Sequence, residues 1–200
     1  MIRVLVFLLG LAGPVHGQSL DLPALFDVAG VAANDFLNVR AGPGTENEVV
    51  GRLAYNDTGI EVIKSNGDGS WGLVAMGEGE GWVALRFMER QPGSVGGVRA
   101  YAMLCTGTEP FWAFQIKGEE MIFFDTEGRN LPDTIIWDAG PEGLQPVARA
   151  IGFSSGHAIV EREICSDGMS ERPYGLSVSL ILDEPEKRFL SGCCSLQMPR

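Results

Sequence analysis

The stretch FLNVRAGPG at residues 36–44 decides the fold class of the first half of this chain. Its first five residues alternate, with Phe36, Asn38 and Arg40 on one side and Leu37 and Val39 on the other. That period of two predicts a β-strand with one buried face. The Ala-Gly-Pro-Gly sequence that follows forces a turn, because glycine and proline interrupt regular structure.

Four more short strands follow in the same style. They are predicted at residues 48–54, 60–63, 71–75 and 82–85. The segments between them are rich in glycine, and Asn66-Gly67-Asp68-Gly69 is a strong hairpin signal. Five strands in about 55 residues predict a small, strongly bent barrel.

The order and spacing of these motifs resemble the bacterial SH3 (SH3b) domains. The resemblance covers residues 28–90 and rests on LNVRAGPG at 37–44, VVG at 49–51, GIEV at 59–62, WGLV at 71–74 and GWVA at 81–84. Asn56-Asp57-Thr58 departs from the family, which more often has a basic or polar residue directly before the glycine. This departure changes a loop surface and leaves the fold as it is. The resemblance implies an SH3-like barrel that binds cell-wall peptides or other proteins.

The second half also alternates like β structure. Eight strands are predicted, at residues 98–105, 111–117, 121–125, 133–137, 147–152, 158–164, 176–182 and 188–196. Turn residues separate them at spacings of about 8–12 residues, and no helical stripe of useful length is present. The whole chain is therefore predicted to be all-β, with a second antiparallel barrel or sandwich after the SH3-like barrel.

This half resembles a family of exported bacterial proteins and lipoproteins over residues 100–195. The motifs are CTGTEPFW at 105–112, CSDGMS at 165–170, Pro173-Tyr174 and LSGC at 190–193. The resemblance implies an envelope location and supplies no activity. Cys194 is additional to the family's usual pattern.

The first residues have the pattern of a signal peptide, and a segment in the middle of the chain has the composition of a linker. Residues 1–17 carry Arg3, a nine-residue apolar run too short to span a bilayer, and small residues before Gln18, which is the pattern of a signal peptide. An uncleaved anchor is the alternative. Residues 91–97 (QPGSVGG) have linker composition and separate an SH3b domain at 18–90 from a β domain at 98–200. No later stretch is apolar enough to span a membrane, so we expect a periplasmic or secreted protein. We also expect it to be a monomer.

The four cysteines fit that location. Cys105, Cys165, Cys193 and Cys194 are predicted to form two disulfides, and a metal site is the weaker alternative because no CxxC occurs. Adjacent residues on a strand face opposite ways, so Cys193 and Cys194 should each pair with a different distant cysteine. Which one takes which remains open.

Charge excludes one class of partner. The chain has 15 Lys and Arg against 26 Asp and Glu, a formal net charge of −11. Binding to nucleic acid begins with cations that neutralise phosphates, so nucleic acid is not an expected partner. Hydrophobic residues make up 45% of the chain, which is enough to fill a core.

Motifs for catalysis are absent from the sequence. His157 is the one histidine after the predicted signal peptide, and no GxSxG, HExxH or Walker motif occurs. No catalytic residue, metal or cofactor is therefore predicted. Glu109 and Asp167 are the carboxylates in the motif segments that could form a pair, or could cap backbone N–H groups.

Aromatic residues provide the candidate binding surfaces. Trp71 and Trp82 either line a peptide groove with Tyr55 at its edge or fill the small barrel. Alternation places Phe111 opposite to Trp112 and Phe114, and Trp112 with Tyr174 is a second candidate surface.

The function expected from the sequence is that of a non-enzymatic bacterial envelope protein. Its SH3b domain would recognise a peptidoglycan peptide or an envelope protein. One alternative is an envelope hydrolase that this domain targets to its substrate. Another is a structural or inhibitory protein whose acidic surface binds a basic partner.

Overall fold

The computed structural model describes residues 21–92, 97–143, 147–183 and 187–198. The predicted signal peptide, and residues 93–96 of the predicted linker, lie outside these ranges. The described chain is all-β, as predicted, with two antiparallel sheets and two three-residue 3₁₀ helices at Leu85–Phe87 and Gly97–Arg99.

Seven strands form the first sheet. They are β1 (Ala24–Val28), β2 (Phe36–Arg40), β3 (Val49–Ala54), β4 (Ile60–Ser65), β5 (Trp71–Met76), β6 (Gly79–Ala84) and β7 (Met88–Arg90), in the spatial order β3-β2-β6-β5-β4-β1-β7. The five predicted strands are confirmed as β2 to β6. β1 and β7, which pair with each other, were not predicted.

The core of this sheet lies on one face and is built in large part from valine side chains. Val39, Val62, Val74 and Val83 are each at most 1% exposed and belong to one apolar cluster. Gly81 makes room for this cluster, because its backbone lies directly against the Val39 side chain. The other face of β5 and β6 carries Trp71 and Trp82.

The second sheet is a closed barrel of eight strands. They are β8 (Ala102–Thr108), β9 (Phe111–Lys117), β10 (Glu120–Asp125), β11 (Asn130–Ala139), β12 (Ala148–Phe153), β13 (Gly156–Glu161), β14 (Leu176–Leu182) and β15 (Arg188–Leu196). Each strand pairs with the next in the chain, and β15 pairs back with β8. The eight predicted strands are confirmed, and the barrel alternative holds over the sandwich.

Aromatic side chains fill the barrel interior. Phe114 and Phe123 are at most 1% exposed, and the Trp112 ring stacks on Phe123 with centroids 6.2 Å apart. Gly107 and Gly192 face this indole, where a side chain of their own would collide with it. Trp112 is therefore a core residue. The prediction that it forms an exposed binding surface with Tyr174 is wrong.

An ion network closes one end of the barrel. The Asp125 side chain is 2% exposed and contacts Arg129 and Arg188 at 3.0 Å each. The Arg188 guanidinium also lies 5.9 Å from the Phe123 ring. Burial alone would raise the pKa of Asp125, but hydrogen bonds and the two guanidinium groups lower it. The buried charge is thus paired, as such a charge must be.

Two disulfides hold the last strand, as predicted. Cys105–Cys194 lies inside the barrel, where both residues are fully buried. Cys165–Cys193 lies on the outside and ties the segment 162–175 to β15. The adjacent cysteines therefore point to opposite faces of the strand and pair with different partners.

The two sheets share a packed boundary. Phe26 of β1 belongs to the core of the first sheet, whereas its neighbour Leu25 belongs to the cluster that fills the barrel. Polar contacts add to this boundary: the Leu196 N–H donates to Glu61 at 3.1 Å, and Arg172 donates to the Gly77 carbonyl at 3.0 Å. β1 is thus a structural component of both halves.

Candidate functional site

A groove of about 430 Å³ lies on the first sheet, on the side away from its valine core. Its walls are the loop after β1, the start of β2, Trp71 at the start of β5, and the 3₁₀ helix after β6. We call it the Trp71 groove.

Strand register places Trp71 in this groove. Trp71 pairs with Ala84 of β6. Val74 points to the opposite face of β5 and is buried in the valine core. The preceding turn fixes the start of the strand, because Asn66 Oδ1 accepts the Trp71 N–H at 3.0 Å. Asp68 accepts the Ser70 hydroxyl and N–H in the same turn, and these bonds lower the pKa of Asp68. The half-buried indole is therefore held on a rigid strand end.

Aromatic and cationic side chains complete the groove. Phe36 is 52% exposed at its edge, and the Arg86 guanidinium stacks 4.6 Å from the Phe87 ring. Arg40 also lines the groove and donates to the Asn47 carbonyl at 2.7 Å. One acid, Asp35, lines it too, and its carboxylate accepts the Phe36 N–H at 2.8 Å. The groove has aromatic walls and two cations, on a protein with a net charge of −11.

Two other predicted binding residues lie outside this lining. Trp82 shares the outer face of the sheet with Trp71, and the Lys64 ammonium group lies 5.8 Å from its ring. Tyr55 follows β3 in a turn and is 41% exposed. Of the three aromatic residues predicted for a groove, the structure places Trp71 in one. Phe36 was missed as a site residue, although its place on the polar face of residues 36–40 was a usable signal.

On the barrel, Asp167 organises the segment 162–175. Its carboxylate accepts the N–H groups of Met169 and Ser170 at 3.0 Å each and the Tyr174 hydroxyl at 3.2 Å. These bonds, led by that from Met169, lower the pKa of Asp167, and burial with the nearby carboxylate raises the pKa of Tyr174. The side chain caps its own turn, which is one of the two roles predicted for it. Glu109 is exposed in the turn between β8 and β9.

His157 lies on the outside of the barrel. Its Nδ1 atom is 3.8 Å from the Asp183 carboxylate, and its ring centroid is 5.9 Å from that of Trp137. Across the part of the chain that the structure describes, no group of three or more His, Cys, Asp or Glu residues could hold a metal ion. Within the same residues no helix is both long and apolar enough to cross a membrane.

Comparison with known proteins identifies one part of the chain. A family model for the bacterial SH3 domain matches residues 35–89, which confirms the resemblance of the first half. No curated protein and no solved structure matches the chain. The resemblance of residues 100–195 to exported envelope proteins stays a prediction. The matched segment contains Phe36, Arg40, Trp71 and Arg86 of the Trp71 groove.

Proposed function

We propose that this protein is a non-enzymatic binding protein of the bacterial envelope, and that its Trp71 groove holds a peptide segment of peptidoglycan or of an envelope protein. The observation that carries the proposal is a groove whose aromatic and cationic side chains lie inside the segment matched by the bacterial SH3 model. Domains of this kind are binding modules.

The groove has the chemistry of a peptide site. Trp71 and Phe36 provide flat apolar surfaces that an extended chain can cover at low entropic cost to the protein. Arg86 is exposed beside them, and a guanidinium group binds carboxylates in two-pronged fashion. A peptide with an acidic side chain or a free carboxylate therefore fits this groove better than a basic one.

The disulfides support a place outside the cytoplasm. Both pairs are formed and the structure describes no free cysteine. Such bonds persist in oxidising compartments and are rare in reducing ones. Together with the predicted signal peptide they favour a periplasmic or secreted protein.

Titration of the chain from residue 18 with soluble peptidoglycan stem peptides tests this proposal. The whole mature chain is used because Leu25 packs into the barrel cluster. Backbone amide shifts should map to the Trp71 groove, and Trp71→Ala and Phe36→Ser should each weaken binding at least tenfold, as expected for binding hot spots.

Phe111→Ser is the matched control, since Phe111 is 51% exposed on the other sheet against 52% for Phe36. An envelope protein fragment that gives the same shifts would support the protein ligand. Silence with both peptidoglycan peptides and envelope extract would overturn the proposal, and so would clearing of peptidoglycan by the wild-type protein in a zymogram.

A further inference from the structure

A second groove, of about 340 Å³, lies on the outside of the barrel against β13, β14, β15 and β8. It runs beside the outer disulfide Cys165–Cys193. Ser177, Ser179 and Ser191 supply hydroxyl groups from the strands, and Thr106 and Thr108 add two more. We call it the serine groove.

The charge of the serine groove has one sign. Glu161, Glu163 and Asp167 line it, and among its described lining residues there is no Lys, Arg or His. The Asp167 carboxylate is used by its own turn. Glu161 and Glu163 are exposed and remain as acceptors facing the groove. Hydroxyls and carboxylates without a cation favour a ligand that brings hydrogen-bond donors and positive charge.

A row of exposed side chains lies next to the serine groove, with His157 among apolar residues. The register pairs Trp137 with Gly152, Gly152 with His157, His157 with Ile181, and Ile181 with Phe189. These residues share the outer face because directly paired residues point to the same side of a sheet. Trp137, Ile181 and Phe189 are 46%, 40% and 72% exposed. The Trp137 indole lies over Gly152, where a side chain would block it.

The row and the groove form one continuous face. Ile159, which is 40% exposed, stands between them on β13 and pairs with Ser179, and Ser179 pairs with Ser191. Five neighbouring strands spaced about 4.8 Å apart give the row a length of about 19 Å, which matches about six residues of extended chain. Exposed apolar surface of this extent marks an interaction site.

We propose that this outer face of β11–β15 binds a protein segment in which lysine or arginine alternates with apolar residues. The cationic side chain enters the serine groove against Glu161 and Glu163, and its apolar neighbours cover Ile159, Ile181 and Phe189. A second copy of this chain would bring a net charge of −11 to an acidic groove, and an anionic lipid surface would be repelled in the same way. A basic protein segment is the occupant whose charge complements the face.

This site is independent of the Trp71 groove in position and in ligand charge. The Trp71 groove lies on the first sheet and carries arginines, while the serine groove lies on the barrel and carries carboxylates. A failure of one proposal therefore leaves the other standing, and variants in one groove serve as controls for the other.

The probe is the blocked peptide Ac-Phe-Lys-Ile-Lys-Phe-NH₂, titrated into the full mature chain and followed by backbone amide shifts. The expected shifts are confined to β11–β15, to the segment 162–175 and to the end of β8 that lines the serine groove. The double variant Glu161→Gln with Glu163→Gln should weaken binding at least tenfold, and so should an increase of salt from about 50 to about 300 mM, which screens exposed charges. Phe189→Ser should weaken it through lost apolar contact.

Glu120→Gln on β10 is the matched control, because Glu120 is another exposed carboxylate of the barrel and does not line the serine groove. Trp71→Ala should also leave this binding unchanged. Equal affinity for the peptide with glutamine in place of lysine would overturn the proposal. So would amide shifts that map elsewhere, shifts on β11–β15 caused by phosphatidylglycerol vesicles, or concentration-dependent shifts of these strands without peptide, which would show that a second copy covers the face.

Discussion

Cys193 and Cys194 are neighbours in sequence, yet one sulfur lies on the outside of the barrel and the other lies in its interior. Cys194 pairs with Cys105 directly opposite on β8, and both are fully buried. Cys193 pairs with Cys165 in the segment outside. Two adjacent strand positions thus have different structural roles: Cys194 links β15 to β8 inside the barrel, and Cys193 attaches the segment 162–175 that borders the serine groove.

The two disulfides should differ in what their loss does. Cys105→Ala with Cys194→Ala opens a link of sequence separation 89 and should cost about 4–5 kcal/mol of unfolding free energy, by the chain-entropy estimate. Cys165→Ala with Cys193→Ala opens a link of separation 28 and should cost about 3–4 kcal/mol. Denaturant titration measures both.

The outer pair should also affect binding. Its removal should leave barrel circular dichroism intact, speed amide exchange in the segment 162–175, and weaken the lysine peptide. Equal exchange in that segment with and without the outer disulfide would contradict this prediction.

Glu61 should make stability depend on pH near neutrality. Burial raises its pKa to about 7, against the opposing effects of the Leu196 N–H and the Arg172 charge. Between pH 4.5 and 7 the folded chain holds a proton that the unfolded chain has released, so stability falls as pH rises through this window and levels off above it.

The full shift corresponds to about 3 kcal/mol, and we expect about 1–3 kcal/mol because Glu61 is half-buried. Glu61→Gln keeps an oxygen for the Leu196 N–H, removes this slope and should raise stability at pH 8. Glu89→Gln, an exposed residue of the same sheet, is the control and should keep the wild-type slope. Parallel pH profiles for wild type and Glu61→Gln would rule out this role.

At lower pH, the stability of the folded chain should depend on the Asp133 carboxylate. Ser154, Ser155 and backbone N–H groups hold the pKa of Asp133 near 2 although burial opposes them. Its folded pKa is depressed, so the stability it contributes is lost as pH falls below its ordinary value of 3.8. Asp133→Asn should flatten the acid limb of the profile below pH 4 and leave the Glu61 window unchanged, as measured by thermal unfolding.

Gly107 should tolerate no side chain. A methyl group there would collide with the Trp112 indole inside the barrel, so Gly107→Ala should cost about 1–3 kcal/mol through overpacking. Gly67→Ala is the control, because a Cβ atom at Gly67 meets nothing within 4 Å. Urea unfolding should separate the two, and a Gly107→Ala protein as stable as Gly67→Ala would contradict the packing described for Trp112.

Leu25→Ala should destabilise the barrel although Leu25 belongs to the first sheet. Its side chain is 4% exposed within the barrel cluster, so truncation should cost about 2–5 kcal/mol. Thermal unfolding followed through the backbone amide signals of β8–β15 reports on the barrel alone. Ala24 on the same strand faces the other core, and Ala24→Gly should leave the midpoint of these signals closer to wild type than Leu25→Ala does. A barrel midpoint unmoved by Leu25→Ala would refute the shared boundary.

Most of the fold could be predicted because its strands alternate clearly. Residues 176–182 follow the alternation through their whole length, and the structure has the strand at those same residues. β1 was missed because ALFDV has buried residues on both faces, Phe26 toward one core and Leu25 toward the other. A strand buried on both sides loses the period of two that identifies it in sequence.

The binding surfaces were harder to predict than the fold. Trp112 was predicted as a surface aromatic beside Tyr174, but it fills space left by two glycines. Gly107 is its cross-strand partner on β8, and Gly192 comes from β15, which lies far from Trp112 in sequence. The row from Trp137 to Phe189 depends on the register of five paired strands. That register cannot be predicted from the residue pattern within any one strand. Trp71 and Phe36 come together only through the order β2-β6-β5.

The pairing of β15 with β8 sets a limit on how this protein can be made. A chain that ends at residue 187 holds seven of the eight strands, with two open edges and a gap in the barrel wall where β15 belongs. Only the final strand removes both edges and brings Cys194 to Cys105. A protein that ends before that strand, through a premature stop or proteolysis, would expose strand edges with unpaired backbone N–H and C=O groups. Cys105 and Cys165 would also lack their native partners. Such a protein should therefore aggregate or be degraded.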